Sequence, residues 1–135
     1  MRIKITIGKL VMEADLFDSP TAKKIFEALP IETSFNTWGD EIYFEIPVEA
    51  DLDETAKDIV EVGDLGYWPT GKAFCIFFGQ TPISEPDKIK PASAVNIVGR
   101  VAGDATRFKE VMEGKTVKLE PARNYPRRLT ASLSK

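Results

Sequence analysis

Apolar and polar residues alternate with a period of two along much of the first half of the chain. Residues 2–7 (RIKITI) and 10–15 (LVMEAD) both show this alternation, and Gly8-Lys9 between them is a hairpin signal. The alternation recurs in two later segments, residues 31–37 and 41–46. Side chains on a strand point alternately to opposite faces, so the pattern predicts two antiparallel strand pairs.

The second half of the chain predicts further strands with a different character. Residues 73–78 (AFCIFF) have no polar position, so we expect both faces of this strand to be covered. Residues 93–101 (SAVNIVGRV) and 115–120 (KTVKLE) are also strand-like. In all, the pattern predicts about eight strands.

Two short helices are predicted from their capping residues. Ser19 followed by Pro20 is a typical helix start, and Pro30 ends that helix. Asp104 can cap a second helix, after which Gly114 is a suitable C-terminal cap. Turn signals at this spacing favour an all-β barrel with little helix.

Three segments are predicted to lie outside the regular strands. The glycine- and proline-marked stretch 63–72 predicts a loop at the rim that carries Tyr67 and Trp68, and residues 81–92 form a loop with three prolines. Residues 51–58 (DLDETAKD) are compatible with a helical turn.

The chain divides into a barrel domain, residues 1–120, and a basic tail, residues 121–135. The cationic side chains of this tail could contact an acidic partner (Arg123, Arg127 and Arg128).

Composition narrows the chemistry. The chain has 135 residues, of which 43% are hydrophobic and 29% charged, as expected of one folded domain with its own core. It contains no histidine, which excludes Ser-His and Cys-His nucleophile pairs and histidine-ligated metal sites. The single cysteine, Cys75, lies in an apolar run, where a buried and unreactive thiol is expected. We therefore expect neither a metal nor a cofactor.

Several segments resemble cyclophilins. Cyclophilins have, in this order, a Phe-rich strand, a threonine loop, a strand that ends in Gly-basic-Val, and a helix. The corresponding segments here are Phe74-Cys75-Ile76-Phe77, Thr81, Val98-Gly99-Arg100-Val101 and Phe108 to Met112. Ile42-Tyr43-Phe44-Glu45-Ile46-Pro47 resembles the cyclophilin Phe-His-Arg-x-Ile-Pro segment.

The whole chain resembles more closely a small prokaryotic family of cyclophilin-like proteins. The similar segments are Gly63-Asp64-Leu65, Tyr67-Trp68, Thr81-Pro82 and Pro91-Ala92-Ser93 before Val95-Asn96. The resemblance covers nearly all of residues 1–120. It implies a mainly β fold: a closed antiparallel cyclophilin-like barrel of about eight strands capped by two short helices. It leaves function open.

Cyclophilins isomerise X-Pro bonds, and the residues at their catalytic and pocket positions indicate whether this chain could do the same. Phe44 stands where the motif has its catalytic arginine, and Tyr43 where it has the preceding histidine. The pocket phenylalanine falls on or beside Cys75, and the loop tryptophan near Ile83. Activity of the cyclophilin type should be weak or absent. The alternative is a non-standard active site in which Arg100 supplies the guanidinium, on the expectation that it shares a strand face with Asn96 and Val98.

For the other candidate sites, a structural role is weighed against a functional one. Asp51, Asp53 and Glu54 could pair as acid and base or bind a hard cation, but a solvated acidic turn is favoured because calcium-loop spacing is missing. Gly63, Gly66 and Gly71 are turn glycines, since no Walker lysine follows. The aromatic residues that could reach the surface and anchor a ligand are Trp38, Tyr43, Tyr67 and Trp68.

The sequence favours a non-catalytic binding module for a peptide or small molecule. The candidate groove is lined by Phe44, Tyr67, Trp68 and Arg100. An accessory domain of a larger enzyme is a third interpretation, by fold analogy alone. A formal net charge of −3 gives no drive toward nucleic acid or an anionic membrane, so neither is expected as a partner. Homo-oligomers stay possible.

Cytoplasmic residence is expected because no apolar run resembles a signal peptide or a membrane span. Asn and Gln together number only four (Asn36, Gln80, Asn96 and Asn124), which is compatible with a heat-adapted source.

Overall fold

The computed structural model of the protein describes residues 1–122. Their ten strands are β1 (Arg2–Ile7), β2 (Leu10–Leu16), β3 (Ile31–Ser34), β4 (Asn36–Thr37), β5 (Glu41–Glu45), β6 (Ala56–Lys57), β7 (Asp64–Trp68), β8 (Ala73–Phe77), β9 (Val95–Val101) and β10 (Thr116–Pro121). The helices are α1 (Pro20–Glu27) and two 3-10 helices, η1 (Pro69–Gly71) and η2 (Ala105–Val111). No helix in residues 1–122 is long and apolar enough to cross a membrane.

The strands form one antiparallel sheet that is nearly closed into a barrel. Its order is β3-β10-β1-β2-β9-β7-β8-β5-β4, with β6 paired to β9 beside this path. Only Phe35 separates β3 from β4, and its N–H donates to the carbonyl of Lys115 at 3.2 Å. The two ends of the path therefore meet in one bent strand, which gives eight principal strands. The mainly β barrel predicted from the sequence is confirmed.

The barrel interior is filled with large apolar side chains. The alternation in β5, for example, directs Ile42 and Phe44 inward, where both are fully buried. The large, fully buried side chains of this interior cluster include Tyr67, Phe44, Phe74, Phe78 and Phe108. A small barrel filled in this way is a packed core.

The two predicted helices are present with the predicted N-terminal caps, whereas the C-terminal cap of η2 is Met112 and not Gly114. The Ser19 hydroxyl accepts a hydrogen bond from the N–H of Ala22 at 3.3 Å, and Pro20 begins α1. The Asp104 carboxylate accepts from the N–H of Thr106 at 3.0 Å at the start of η2. Phe108 of η2 is fully buried.

Strand β8 is covered on both faces, as its unbroken apolar run predicts. Phe74 and Ile76 belong to the interior core cluster. Cys75 and Phe77 point to the outer side, into a second apolar cluster with Val60, Val95 and Ile97, against which Ile89 also packs. Segments outside the barrel wall, including Val60 and Ile89, therefore complete the cover on that side.

Two local predictions are wrong. Residues 63–72 are not a rim loop, because β7 runs through them and lies between β8 and β9 inside the sheet. The glycines suggest a turn, whereas Asp64–Trp68 pair with strands on both sides, with one register shift against β9, and only residues 69–72 form the connection to β8. Residues 51–58 contain no helical turn, and Ala56–Lys57 pair with β9 instead.

Candidate functional site

A cavity of about 250 Å³ lies on the outer wall of the barrel, over β5, β8 and the start of β9. We call it the outer cavity, and its lining residues are Trp38, Glu41, Tyr43, Trp68, Cys75, Pro91, Ala92 and Val95. The lining is mostly apolar and aromatic, and it includes one carboxyl group. Mostly apolar cavities with a few placed polar groups are typical of small-molecule sites.

Strand alternation places the β5 and β8 side chains of the cavity. Because Ile42 and Phe44 face the interior, Glu41 and Tyr43 must face outward. Tyr43 is opposite Cys75 in the β5–β8 register, so these two side chains share the outer face. The floor of the cavity is therefore built from rigid strands.

A tight turn brings Trp38 to the mouth of the cavity. The turn passes through Gly39 at φ +61°, a left-handed conformation that glycine adopts most easily. A Cβ at Gly39 would also lie 2.7 Å from the carbonyl oxygen of Gln80. The N–H of Asp40 donates to that same carbonyl at 2.8 Å, and the N–H of Trp38 donates to the carbonyl of Glu41 at 3.0 Å.

Trp68 forms another wall and is fixed at both ends. Its indole Nε1–H donates to the hydroxyl of Ser93 at 2.7 Å. Its ring meets that of Tyr43 edge to face, with the centroids 6.5 Å apart and an interplanar angle of 85°. This is a favourable geometry for two aromatic rings.

The rim that carries Pro91 and Ala92 is an ordered loop. The Ser84 hydroxyl accepts from the N–H of Thr81 at 3.0 Å and from the N–H of Lys90 at 2.9 Å. The Thr81 hydroxyl also donates to the carbonyl of Lys90. These bonds close the loop on itself just before Pro91, so the rim has a defined position.

Glu41 is the electrostatic feature of the cavity. The residue is only 5% exposed, and no Lys or Arg forms an ion pair with it within residues 1–122. Burial raises the pKa of Glu41 from 4.5 to about 7, an effect that a hydrogen bond with the Cys75 thiol partly offsets. The carboxyl group therefore changes its charge near neutral pH.

Cys75 is a buried thiol beside this carboxyl group. Burial and the neighbouring Glu41 charge raise the pKa of the Cys75 thiol well above its ordinary value. A thiol in this setting is neutral and a poor nucleophile. The structure thus places Cys75 in the cavity as a small apolar side chain.

The four residues of the predicted groove do not come together. Phe44 is fully buried in the barrel interior, where its ring stacks on Phe74 with the centroids 5.4 Å apart. Tyr67 is also fully buried, and its hydroxyl donates to the carbonyl of Val48 at 2.6 Å. Only Trp68 of the four lines the outer cavity.

Arg100 does not share a face with Asn96 and Val98. Between Leu65 and Gly66 the β7–β9 register shifts, so β9 contains a bulge that takes up one extra residue. Asn96 and Val98 are fully buried, while Arg100 points outward. Its guanidinium Nη1 lies 2.7 Å from the Asp64 carboxylate, and Nη2 donates to the carbonyl of Val62 at 3.0 Å.

The acidic turn at residues 51–54 is tied into the structure. The Asp53 carboxylate accepts from the Thr55 N–H at 2.8 Å and from the hydroxyl of Thr21 at 3.3 Å. These bonds lower the pKa of Asp53 in spite of the opposing effect of burial. The buried Asn96 amide accepts from the Asp53 N–H at 2.9 Å. No group of three or more His, Cys, Asp or Glu that could hold a metal exists in the described part of the chain.

Sequence reasoning considered Trp38 and Tyr43 as surface aromatics but missed Glu41. The signal was available, because the alternation that buries Ile42 and Phe44 puts Glu41 and Tyr43 together on the other face. Its burial, in a cavity that residues distant in sequence also line, could not be seen in the sequence.

Comparisons with known proteins agree with this fold. A family model described as Cyclophilin-like matches residues 1–120. The solution structure of the hypothetical protein AF2241 from Archaeoglobus fulgidus is 46% identical, with a TM-score of 0.76 over 90% of this chain and 95% of that chain. The structure of McbB in complex with tryptophan is 12% identical, with a TM-score of 0.68 over 91% of this chain and 45% of that chain. No curated protein sequence matches the chain.

Proposed function

The chain belongs to the cyclophilin-like family, and from this premise we propose that it is a non-catalytic binding module whose ligand occupies the outer cavity. The observation that carries the proposal is the combination of three aromatic residues with one buried carboxyl group, Glu41. The aromatic residues are Trp38, Tyr43 and Trp68. Such a lining offers a large contact area and one polar group that can orient a ligand.

The size of the cavity limits its ligand. Cavities that hold drug-sized ligands measure about 300–1,000 Å³, and the outer cavity, at about 250 Å³, is slightly smaller. The ligand is therefore a small molecule or a single side chain of a peptide. Nucleic acid and membranes are not proposed as partners, and the setting we propose is the cytoplasm.

No guanidinium of residues 1–122 lines the cavity, which supports a non-catalytic role. Phe44, at the position of the cyclophilin arginine, is a core residue. Arg100 is bonded to Asp64 and to the carbonyl of Val62, and it is not among the lining residues of the outer cavity. Isomerisation by this route needs a donor beside the prolyl nitrogen, and neither Phe44 nor Arg100 supplies one there.

Intrinsic fluorescence tests the proposal directly. The chain has two tryptophans, Trp38 and Trp68, and both line the outer cavity. A ligand in the cavity should change their emission. We would titrate a panel of short peptides, aliphatic amines and alcohols, and aromatic compounds, including the tryptophan with which McbB is complexed.

A matched pair of variants assigns any signal to the cavity. Ala92 is an exposed residue of the cavity rim, and Ala102 is an exposed alanine outside the lining. Ala92→Phe should fill the mouth and weaken binding at least tenfold, while Ala102→Phe should bind like wild type. Equal binding by both variants would place the ligand elsewhere, and no response to any compound would overturn the binding role.

A protease-coupled isomerisation assay on an X-Pro peptide tests the enzymatic alternative. We expect no acceleration by wild type or by Arg100→Ala. Acceleration by wild type that disappears in Arg100→Ala would contradict the non-catalytic role and would make the protein a prolyl isomerase with a relocated guanidinium.

A further inference from the structure

The outer cavity contains an acidic group that has no basic side chain of residues 1–122 as its partner. Glu41 is 5% exposed, and the neighbouring Cys75 thiol is a weak donor that also lies 3.9 Å from the carbonyl of Ala73. Among residues 1–122, no cationic residue lines the cavity. A buried carboxylate is costly unless a positive charge or several donors face it. A cationic ligand would supply the positive charge that residues 1–122 do not place beside Glu41.

The remaining walls suit a cation as well. The aromatic residues Trp38, Tyr43 and Trp68 line the same space. Aromatic faces attract ammonium groups, tryptophan most strongly, and cages of this kind recognise quaternary and methylated ammonium ions. Pro91, Ala92 and Val95 add apolar surface for a hydrocarbon body.

We propose that the ligand of the outer cavity is an organic cation, with an ammonium group held between Glu41 and the aromatic residues and an apolar body against the loop. This inference rests on the proposed function. The ammonium group could belong to a free amine or to a lysine side chain of a peptide. Both present the same chemistry, and the experiment below separates them.

The charge state of Glu41 makes the proposal measurable as a pH dependence. Glu41 must be ionised to attract the cation, so affinity should rise as pH increases through about 7. The other titratable side chains that face the cavity are Tyr43 of β5 and Cys75 of β8, while β7, β9 and the loop contribute only Trp68, Val95, Pro91 and Ala92. Burial and Glu41 raise the pKa of Cys75 well above its ordinary value, so its thiol stays neutral in this range.

The test compares choline with its neutral isostere, 3,3-dimethylbutan-1-ol. Choline has no proton to lose at its ammonium group, so a change of its affinity with pH belongs to the protein. Titration calorimetry and tryptophan fluorescence at pH 5.5 and 8.5 should show choline binding about 10- to 30-fold more tightly at the higher pH. The alcohol should bind at least tenfold more weakly than choline at pH 8.5 and with little dependence on pH.

Two glutamine variants locate the charge. Glu41→Gln keeps the shape of the side chain and should remove both the preference for choline and its pH dependence. Glu45→Gln is the matched control, because Glu45 lies on the same face of β5 but is exposed and outside the lining. It should behave as wild type. A pH dependence that persists in Glu41→Gln would overturn the inference.

The remaining outcomes separate this inference from the proposed function. If the alcohol binds as tightly as choline, the proposal of a cationic ligand is overturned, but the proposed binding role stands. Failure of both compounds, together with every member of the wider panel, would overturn both. Once choline binds, a Gly-Lys-Gly peptide and its Nε-acetylated form are compared with pentylamine. Tighter binding of the unmodified peptide identifies a lysine side chain, and tighter binding of pentylamine identifies a free amine.

Discussion

The carboxyl group of Glu41 links the fold to the proposed chemistry at the scale of a single residue. Strand alternation turns it away from the core, yet it is only 5% exposed in a cavity that Pro91 and Ala92 also line. Burial without a basic partner raises the pKa of Glu41 to about 7. A group that is stabilised in its neutral form on folding must make stability depend on pH.

Glu41→Gln should therefore remove a pH dependence of stability. Between about pH 4.5 and 7 the folded protein binds more protons than the unfolded chain, so the free energy of unfolding falls as pH rises through this window. The expected loss is about 3 kcal/mol. Denaturation by urea at pH 5 and pH 8 measures it.

Above pH 7 Glu41→Gln should be more stable than wild type, and at pH 5 the two should differ little. Glu45→Gln, an exposed change on the same strand face, should follow the wild-type profile. If wild type and Glu41→Gln lose stability in parallel as pH rises, Glu41 is not the group that titrates.

Phe44 shows how one residue of a motif can change its role. It is fully buried and stacked on Phe74. Phe44→Ala should cost about 3–5 kcal/mol of unfolding free energy, because it leaves an internal cavity. Phe44→Leu should cost less. Urea denaturation followed by tryptophan fluorescence measures both losses.

Ligand binding should survive in the folded fraction of Phe44→Ala, because Phe44 does not line the outer cavity. A variant of unchanged stability that no longer binds ligand would return Phe44 to the binding groove and contradict the structure.

At the scale of elements, most strands could be predicted from the sequence, and β7 could not. The segments β1, β2 and β5 alternate regularly, and β8 is continuously apolar, so each carries its own signal. The β7 segment Asp64–Trp68 contains a glycine and follows another, which locally suggests a turn. Its strand structure comes from pairing with β8 and β9, which are distant in sequence.

The bulge in β9 explains why Arg100 was misplaced. A shift of one residue moves every following side chain to the opposite face. Counting in steps of two from Asn96 therefore fails beyond Val98, and Arg100 meets Asp64 on the outer side. No turn residue or charge pattern in the sequence marks such a shift.

Gly66 tests the close packing of β7. A Cβ at this position would lie 2.9 Å from Cγ2 of Val95 and 3.3 Å from Cε2 of Phe77. Gly66→Ala should therefore lower the free energy of unfolding by about 1–3 kcal/mol, as overpacked cores do. Thermal and urea denaturation measure the loss.

Gly103→Ala is the control for Gly66→Ala, because its Cβ would meet only the flexible end of Met12, at 3.3 Å. It should change stability by less than about 0.5 kcal/mol. Equal effects of the two substitutions would mean that β7 is not held tightly between its neighbours.

At the scale of the whole molecule, a filled barrel directs function to its outer wall. The interior is occupied by residues such as Phe44, Tyr67 and Phe78. The outer cavity forms where β5 and β8 are covered by a loop rather than by another sheet. The sequence indicated the barrel, whereas the cavity depends on where residues 91–95 cross the wall, which only the folded chain defines.

Heat adaptation stays a prediction at this scale. The scarcity of amide side chains in the sequence, only four in 135 residues, favours a melting temperature above the ~45–65 °C of ordinary domains. A thermal denaturation followed by circular dichroism checks it, and a transition inside the ordinary range would contradict it.

The central claim is that the outer cavity is the ligand site, and nuclear magnetic resonance tests it most directly. In a nitrogen-15 correlation spectrum the protein has two indole N–H signals, from Trp38 and Trp68, and both rings line the cavity. We predict that a bound organic cation shifts both indole signals and the amide signals of Glu41, Tyr43 and Val95, and leaves those of Asp64 and Arg100 unchanged. Shifts that cluster around Asp64 and Arg100 while both indole signals stay in place would contradict the account.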